Sequence, residues 1–279
     1  MKAKQTNRFS KALGRSRTVR TLVGIPSILR GLNRANTWRD YSLQGNGVSN
    51  EAELGPRDAP NPLRAYFESV TDGRGIWKWK HYFEIYHRHF QKFVGKEVRV
   101  VEIGIFSGGS LAMWKTYFGA QSFIYGIDLR SECRAYEDER IKVFVGDQGD
   151  RDFWRNFREQ VQHIDVVIDD GGHLPEQQIV TLEETVPYLR PGGVYLCEDI
   201  HGSNNRFASY VHGLTSALNS FALMDTTKPE GVDSIVAASA LQRSIGSVHT
   251  YPFLTVVEKT AHPVEQLLAL KRGTQWQPL

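Results

Sequence analysis

The sequence has little cysteine and no long hydrophobic run, and both absences restrict the class of protein. Its two cysteines, Cys133 and Cys197, form neither a CxxC pair nor a disulfide framework, which is typical of a reducing compartment and argues against a thiolate metal site. No apolar run reaches the roughly 18 residues that a membrane span needs, and the start of the chain lacks the apolar block of a secretory signal. We therefore expect a soluble, cytoplasmic protein.

Acidic residues are absent from residues 1–39, which contain ten lysines and arginines. Of the 34 basic residues, 24 remain against 31 acidic ones in the rest of the chain, so the body carries a net charge of −7. A body that is acidic as a whole is not expected to bind nucleic acid. The 279 residues, 41% of them hydrophobic, form one large domain or two small ones.

Within the basic arm, residues 18–32 (TVRTLVGIPSILRGL) place apolar side chains at roughly helical intervals, interrupted by Gly24 and Pro26. Such a segment could bind an anionic membrane surface weakly or act as an organellar transit peptide. The alternative is a disordered or partner-packed arm. Residues 43–62 are rich in Gly, Asn and Pro, as linkers are. We therefore divide the chain into an arm with its linker (residues 1–62) and a main domain (residues 63–279).

From about residue 62, short β-branched or aromatic runs alternate with segments of helical length. Near-continuous apolar strands separated by helices indicate a parallel sheet that is covered on both faces. The sequence therefore predicts a doubly wound α/β domain, in which ligands bind at the carboxyl ends of the strands. The five predicted strands are VRVVEIGI (98–105), SFIYGIDL (122–129), IKVFVGD (141–147), DVVIDD (165–170) and GVYLCED (193–199).

The first strand-to-helix turn reads EIGIFSGGS. Its glycines, Gly104 and Gly108 among them, let a nucleotide-like ligand approach the backbone, and the helix that opens at Ser110 offers free N–H groups. A GxGxxG dinucleotide fingerprint would require glycine at position 106, where this chain has Phe106. The turn therefore favours a nucleoside ligand other than NAD or FAD.

Two aspartates close the second and third predicted strands. Asp128 lies 24 positions after Gly104 in the sequence, a spacing that suits a carboxylate accepting hydrogen bonds from both hydroxyls of a ribose. Asp147, in VFVGDQGD, could lie beside an adenine ring. The alternative for each aspartate is capping of the helix that follows.

Carboxylates also close the fourth and fifth strands, in IDDGGH and CEDIH. Because neighbouring strands lie about 4.8 Å apart, Asp170, Glu198 and Asp199 would converge. Like charges at that range force one group to take up a proton unless a cation compensates. Oxygen ligands favour a hard ion, Mg²⁺ before Mn²⁺ or Ca²⁺. The alternative is helix capping with solvated loop carboxylates.

His173 follows Asp170 across a Gly-Gly turn that can bring its imidazole over the predicted metal ion. We interpret it as a general base for a hydroxyl group in the site. It could instead be a fourth ligand or a surface histidine. His201 is placed to line the same pocket, without an assigned role.

Together these motifs resemble the metal-dependent class I S-adenosylmethionine O-methyltransferases that act on macrolide sugar hydroxyls, and more broadly the cephalosporin-hydroxylase-like and rhamnosyl O-methyltransferase group. The resemblance covers about residues 63–259. It implies a Rossmann-like, mostly parallel seven-stranded sheet with an antiparallel last strand, for which SVHTYPFLTVVEK would be the return arm of a hairpin. It is carried by WKHYFEIYHRHF, VVEIGIFSGGSLAMWKTYF, YGIDL, GDQGD, IDDGGH, YLCEDIH and SVHTYPFLTVVEK.

The resemblance also implies roles for site residues. His173 would be the catalytic base, and the acceptor would be a hydroxyl of a sugar or glycosylated natural product; a homo-oligomer is possible. Mg²⁺ would be carried by Asp170, Glu198 and Asp199. S-adenosylmethionine would be bound by Glu102, Gly104, Gly108, Asp128, Asp147, Gln148 and Asp169.

Residues 72–90 (DGRGIWKWKHYFEIYHRHF) are dense in aromatic and basic side chains. They could form a lid or acceptor wall, for which Lys80, His81 and Tyr82 are the candidates. The alternative is an amphipathic helix that packs its aromatic side chains into the core. Members of the resembled family usually have a longer N-terminal auxiliary domain that shapes the acceptor site, so the acceptor stays open.

Two functions of other classes remain as alternatives. An NAD-binding Rossmann oxidoreductase would ignore S-adenosylhomocysteine, and Phe106 argues against it. A non-catalytic S-adenosylmethionine-binding protein should show gaps in the DDGGH and ED set, which is intact here. Hydroxylation-linked chemistry would need an iron site of the two-His, one-carboxylate kind, and the sequence shows none.

Overall fold

The computed structural model describes residues 17–37, 61–202, 204–220 and 232–274, and the chain divides into two compact units, residues 1–58 and 59–279. The described part of the first unit is one helix, α1 (Arg17–Asn36), which continues through Pro26. The segment whose helical spacing Gly24 and Pro26 interrupt in the sequence is thus one continuous helix in the structure. Membrane or partner contact of this arm stays a prediction.

The predicted linker, residues 43–62, lies almost wholly outside the described residues. Across the described ranges, every helix is too short or too polar to cross a membrane.

The second unit begins with two helices that Asn61 ties together. α2 (Pro62–Ser69) starts at Pro62, and the Asn61 side chain accepts hydrogen bonds from the backbone N–H groups of Leu63 and Arg64. The same side chain donates at 2.8 Å to the carbonyl of Phe83 in the next helix, α3 (Tyr82–Phe90). One capping residue therefore fixes both the start of α2 and its contact with α3.

Strands and helices then alternate along the chain. The strands are β1 (Val98–Ile103), β2 (Ser122–Asp128), β3 (Ile141–Val145), β4 (Ile164–Asp169), β5 (Leu189–Cys197), β6 (Val232–Ala237), β7 (Ile245–Tyr251), β8 (Leu254–Lys259) and β9 (Gln266–Leu270). The helices are α4 (Gly109–Phe118), α5 (Arg151–Gln160), α6 (Pro175–Thr185), α7 (Arg206–Leu218) and α8 (Ala240–Ser244). Short 3₁₀ turns lie at Gln91–Phe93, Ser131–Tyr136 and Val186–Tyr188.

Seven strands form one sheet in the order β3-β2-β1-β4-β5-β8-β7. The first five are parallel, and β8 is antiparallel to both β5 and β7. This confirms the predicted mostly parallel, Rossmann-like methyltransferase sheet with an antiparallel strand. β6 and β9 pair separately as a two-stranded antiparallel sheet.

Two details of the strand prediction are wrong. The stretch SVHTYPFLTVVEK contains both arms of the hairpin β7–β8 rather than its return arm alone, because the chain reverses between Tyr251 and Leu254. Phe253 in this turn has φ of 61°, a left-handed conformation that reverses the chain. β5 starts at Leu189, ahead of the predicted residue 193, because the Pro-Gly-Gly segment within it is already extended.

The two faces of the sheet are covered by separate hydrophobic clusters. One cluster contains the buried aromatic side chains of α3 and α4, with Tyr86 edge-on to Trp114 at 5.2 Å between ring centroids. The other contains Trp154 and Phe157 of α5. The core alternative for residues 82–90 is therefore correct, while the stretch before them has a different role. The core side chains of α3 are Tyr82, Phe83, Ile85, Tyr86 and Phe90.

A polar cluster joins α3 to the β7–β8 hairpin. His89 is buried, with Nδ1 2.9 Å from Glu258 Oε1 and Nε2 3.0 Å from the hydroxyl of Tyr251. Lys92 Nζ lies 3.5 Å from the same Glu258 oxygen. The hydrogen bond from His89, opposed by partial burial and aided by Lys92, lowers the pKa of Glu258 to about 2. This carboxylate is therefore ionised at neutral and weakly acidic pH.

Replacing Glu258 with glutamine is expected to lower the free energy of unfolding by about 1 kcal/mol at pH 7, after allowance for solvent screening of a partly exposed carboxylate. Because its pKa is lower in the folded state, the stabilisation is complete above about pH 5 and is lost as pH falls toward 2. Urea unfolding at a series of pH values should show that the difference in free energy of unfolding between variant and wild type becomes smaller as the pH falls from about 5 toward 2. Glu265→Gln, at an exposed pair with Arg243, should change little. A gap that is independent of pH would contradict the ionic interpretation.

Candidate active site

A cleft of about 640 Å³ opens beside the carboxyl ends of the central strands. Turns that follow β1, β2, β3, β4 and β5 all contribute to its wall, as expected for ligand binding in a doubly wound sheet. Residues 75–79, which precede α3, form part of the opposite wall. Of the predicted site residues, the cleft is lined by Gly104, Asp128, Asp147, Gln148, Asp170, His173, Glu198, Asp199 and His201.

The turn after β1 depends on two glycines with positive φ. Gly104 has φ of +80°, and a Cβ there would lie 2.1 Å from the carbonyl oxygen of Asp170. Gly108 has φ of +77°, and a Cβ there would lie 2.7 Å from the ring of Tyr136. Both positions require glycine, and at Gly104 the chain presents bare backbone to the cleft.

The carboxylates near the ends of β1 and β2, those of Glu102 and Asp128, point in different directions. Asp128 lines the cleft, and its oxygens accept hydrogen bonds from the backbone N–H groups of Phe106 (3.1 Å) and Arg130 (3.0 Å). Glu102 is fully buried, and Ser110 donates to it at 2.9 Å. Asp128 can therefore contact a ligand in the cleft, whereas Glu102 is buried beneath the turn that follows β1.

The capping alternative is wrong for Asp147. α5 is capped by Asp150, whose side chain accepts from the backbone of Asp152. Asp147 instead accepts from Gly149 N at 2.7 Å and from the side chain of Gln177 at 3.0 Å, at the rim of the cleft.

The side chains of Gln148 and Asp169 hydrogen-bond to each other and to neighbouring groups of the protein. The Gln148 amide donates at 2.8 Å to Asp169 and at 3.0 Å to Thr181, and its oxygen accepts from Gly172 N at 2.8 Å. Tyr195 donates to the other Asp169 oxygen at 3.0 Å, and burial raises the pKa of Asp169 to about 6. Asp169 does not line the cleft, and its side chain supports the turn at Gly172 through Gln148. Gln148 does line the cleft, and its contact with a cofactor stays a prediction.

Asp170, Asp199 and His173 form a group that could hold a metal ion, with one ligand atom of each within 4.8 Å of the others. His173 Nε2 lies 4.0 Å from Asp170 Oδ1 and 3.7 Å from Asp199 Oδ2. His173 and Asp199 both have positive φ, 53° and 54°. Such conformations are rare outside glycine and concentrate at functional sites. The two carboxylates suit a divalent cation, and the imidazole beside them could serve either as a further ligand or as a base.

Glu198, the third predicted ligand, faces a different neighbour. Lys78 places its ammonium 3.1 Å from both Glu198 oxygens, 2.5 Å from Asp170 Oδ2 and 3.8 Å from Glu102 Oε1. Tyr86 donates to Glu198 at 2.7 Å. The predicted convergence of carboxylates is therefore observed, but a lysine from the segment before α3 supplies a cation.

The charge state of Lys78 is set by these carboxylates. Burial by itself lowers the pKa of the ammonium, but the charges of Asp170, Glu198 and Glu102 outweigh this effect and raise the pKa. Burial and the neighbouring Asp170 also raise the pKa of Glu198 well above its ordinary value, against the opposing effect of Lys78. Lys78 is therefore a permanent cation in the neutral pH range.

Sequence reasoning missed Lys78 and selected Lys80 from the same segment. The sequence did contain one signal: the predicted convergence of Asp170, Glu198 and Asp199 requires a compensating cation, and a lysine of the chain can supply it. Two further contacts from this segment fix Asp199: Trp79 Nε1 and the Tyr82 hydroxyl both donate to Asp199 Oδ1 at 3.0 Å. Tyr82 was a candidate for the acceptor wall, and the structure shows that it positions Asp199.

Residues 101–200 match a family model described as a methyltransferase domain. Over 206 residues the chain is 33% identical to 8-demethyl-8-alpha-L-rhamnosyl tetracenomycin-C 2'-O-methyltransferase of Streptomyces olivaceus, covering 70% of this chain and 54% of the relative. Over 198 residues it is 33% identical to demethylmacrocin O-methyltransferase of Streptomyces fradiae, covering 66% of this chain and 50% of the relative.

Among solved structures, the MycE methyltransferase of the mycinamycin biosynthetic pathway, in complex with Mg, SAH and mycinamycin VI, superposes with a TM-score of 0.57. The two sequences are 25% identical, and the match covers 73% of this chain and 54% of that one. The chain thus spans about half the length of the relatives that it matches.

Proposed function

Because the chain contains a methyltransferase domain homologous to sugar O-methyltransferases of macrolide and tetracenomycin pathways, we propose that it transfers a methyl group from S-adenosylmethionine to a hydroxyl of a sugar or glycosylated small molecule. The observation that carries the proposal is the arrangement of the cleft. A glycine turn with an aspartate lies at one part of its wall, and the group of Asp170, Asp199 and His173 lies at another. A bound cofactor and an acceptor hydroxyl would meet between them.

The residues of the turn fit S-adenosylmethionine. Gly104 lines the cleft with its backbone, and its lack of a side chain lets the turn pack against the backbone of Asp170. Asp128 at the end of β2 is placed to accept ribose hydroxyls, and Asp147 lies at the rim where the adenine would be held. The cofactor supplies a methyl group on a positively charged sulfur, which is already activated for transfer.

A divalent cation fits the carboxylates that follow β4 and β5. Mg²⁺ would be held by Asp170 and Asp199, and by Glu198 as the third ligand that the sequence predicts, with the remaining positions left to water and substrate. It would supply electrostatic stabilisation of the acceptor oxygen as that oxygen loses its proton.

His173 is the residue that we assign as general base. Its Nε2 is too far from either aspartate oxygen for a hydrogen bond, so this nitrogen can meet a hydroxyl in the cleft. The neighbouring carboxylates would stabilise the imidazolium that forms. The acceptor O–H proton passes to Nε2, the O–CH₃ bond forms as the S–CH₃ bond breaks, and the partly exposed ring releases the proton to solvent. Alignment of the two reactants supplies most of the acceleration.

The acceptor side of the cleft is aromatic. Trp77 lines the cleft and is 92% exposed, and Trp79 lies beside Phe253 with 5.5 Å between ring centroids. Large exposed aromatic faces suit the apolar face of a pyranose ring or of an aglycone. Lys80 and His81, the other predicted wall residues, do not line the cleft.

Transfer of a labelled methyl group from S-adenosylmethionine to glycosides of the kind named for the relatives, such as demethylmacrocin and mycinamicin VI, is the experiment that tests the proposal. His173→Asn should lower the transfer rate by about 10²- to 10⁴-fold, because a general base is lost. His212→Asn, at an exposed position of α7, is the matched control and should keep the wild-type rate. Full activity of the His173 variant would contradict its role. Failure of every glycoside with a protein that binds S-adenosylhomocysteine would contradict the sugar acceptor.

A further inference from the structure

The helix of the first unit, α1, has an apolar side that is exposed. Residues 25–35 of this helix are all exposed, and four of them are large aliphatic residues at positions i, i+3, i+4 and i+7. This spacing places the four in one aliphatic stripe along the helix. The stripe consists of Ile25, Ile28, Leu29 and Leu32, whose exposed fractions run from 41% to 57%. Single exposed leucines are ordinary, but a continuous stripe of them is typical of a binding surface.

The opposite side of α1 is cationic. Arg30 and Arg34 are both exposed and lie about one turn apart, on the side of the helix that faces away from the aliphatic stripe. The whole helix contains four arginines and no acidic residue. Residues 1–39 carry ten basic residues and no acid, whereas the rest of the chain has a net charge of −7. The positive charge of the protein is therefore concentrated in this arm.

We propose that α1 binds the surface of a membrane that contains anionic lipids, with the helix axis in the plane of that surface. The aliphatic stripe would lie among the acyl chains, and Arg30 and Arg34 would lie at the level of the lipid phosphates. This function goes beyond the proposed methyl transfer and does not depend on it, because the stripe and the arginines all belong to the first unit.

An anionic lipid surface satisfies both sides of α1 at once. A polyanion such as nucleic acid would pair with the arginines but would leave the aliphatic stripe in water. The stripe consists of Ile and Leu, without the tryptophan or tyrosine that commonly anchors a protein partner. Since the rest of the chain is acidic, an anionic membrane repels it, and the arm has to supply the attraction.

Sedimentation of the full chain with sucrose-loaded vesicles tests this proposal. Vesicles of phosphatidylcholine with about one third phosphatidylglycerol should bind the protein at low salt, and vesicles of phosphatidylcholine alone should bind it about tenfold more weakly or less. Raising the ionic strength to about 0.5 M should also weaken binding to the anionic vesicles, because exposed charges are screened.

Two double variants separate the contributions of the two sides. Leu29→Gln with Leu32→Gln should lower the vesicle partition coefficient by about tenfold or more, because two aliphatic side chains are lost from the acyl region. Arg30→Gln with Arg34→Gln should lower it by about 25-fold, at about fivefold for each arginine. Glutamine has nearly the helix propensity of leucine and of arginine, so α1 should persist in both variants.

The matched controls make the same substitutions at exposed positions of the second unit. Leu268→Gln with Leu270→Gln on β9, and Arg155→Gln with Arg206→Gln, should bind vesicles as wild type does. The proposal is overturned if the full chain fails to bind anionic vesicles, if it binds neutral vesicles equally well, or if the controls lose as much binding as the α1 variants. Full binding by the leucine variant of α1 would also overturn it, because the arm would then recognise negative charge alone, as in nucleic acid.

Discussion

Replacement of Asp170 by asparagine is expected to lower the rate of methyl transfer by about 10³-fold while S-adenosylhomocysteine affinity stays within about threefold. One oxygen of Asp170 faces His173 and the other contacts Lys78, so the change disturbs both the proposed base and the ion pair with Lys78. Asp170 follows β4, which β1 separates from β2, whereas Asp128 and Asp147 lie at the ends of β2 and β3, where the cofactor's ribose and adenine would be held. The rate of methyl transfer should therefore fall far more than the affinity for S-adenosylhomocysteine.

Single-turnover rates with labelled cofactor, beside equilibrium binding of S-adenosylhomocysteine, separate these two effects. Asp152→Asn, at a carboxylate of α5 that is 71% exposed, is the control for the loss of one negative charge and should match wild type in both. Equal losses of rate and of cofactor affinity in the Asp170 variant would show that this residue binds the cofactor. The assignment of Asp170 to the acceptor side of the cleft would then be wrong.

Alanine at Gly104 is expected to abolish cofactor binding and to destabilise the fold by about 3–5 kcal/mol. The added Cβ would lie 2.1 Å from the carbonyl oxygen of Asp170 and 2.8 Å from Gly171 Cα. Both are backbone atoms at the exit of β4, so no side-chain rotation relieves the overlap. The backbone must shift at the point where the cofactor and the catalytic group would meet.

Gly95 provides the control for this change. Its φ is +72°, close to the +80° of Gly104, but a Cβ there would meet no atom within 4 Å. Gly95→Ala should therefore cost only the strain of a left-handed alanine, about 1–2 kcal/mol. Urea unfolding of both variants isolates the steric effect, and similar destabilisation of the two would mean that contact with the Asp170 backbone is unimportant.

Much of the fold followed from local sequence patterns. The apolar runs around Val98, Ile124 and Val166 were recognisable because parallel strands are buried on both faces. Their acidic C-terminal residues then located the cleft, since parallel strands end at one edge. The limits of β5 and of the β7–β8 hairpin were not recognisable, because a Pro-Gly-Gly segment and a Tyr-Pro-Phe-Leu segment are compatible with either strand or turn.

The site was predictable only in part, for a geometric reason. Successive side chains of a strand point to opposite faces, so Asp169 at the end of β4 shares the face of the buried Val167, while Asp170 follows the strand and lies in the cleft. That alternation would have assigned Asp169 to the interior, where Gln148 and Tyr195 bind it. Lys78 was harder to predict: its partners Asp170 and Glu198 lie 92 and 120 residues further along the chain, and its own segment has no regular structure. Only the folded chain brings them together.

Titration of the wild-type protein with S-adenosylhomocysteine and, in parallel, with NAD tests the central claim most directly. The glycine turn, Phe106 at the position where a dinucleotide fingerprint has glycine, and Asp128 at the end of β2 together predict saturable binding of one S-adenosylhomocysteine per chain and no binding of NAD. Binding of NAD without binding of S-adenosylhomocysteine would contradict the account, and the cleft would then belong to an oxidoreductase.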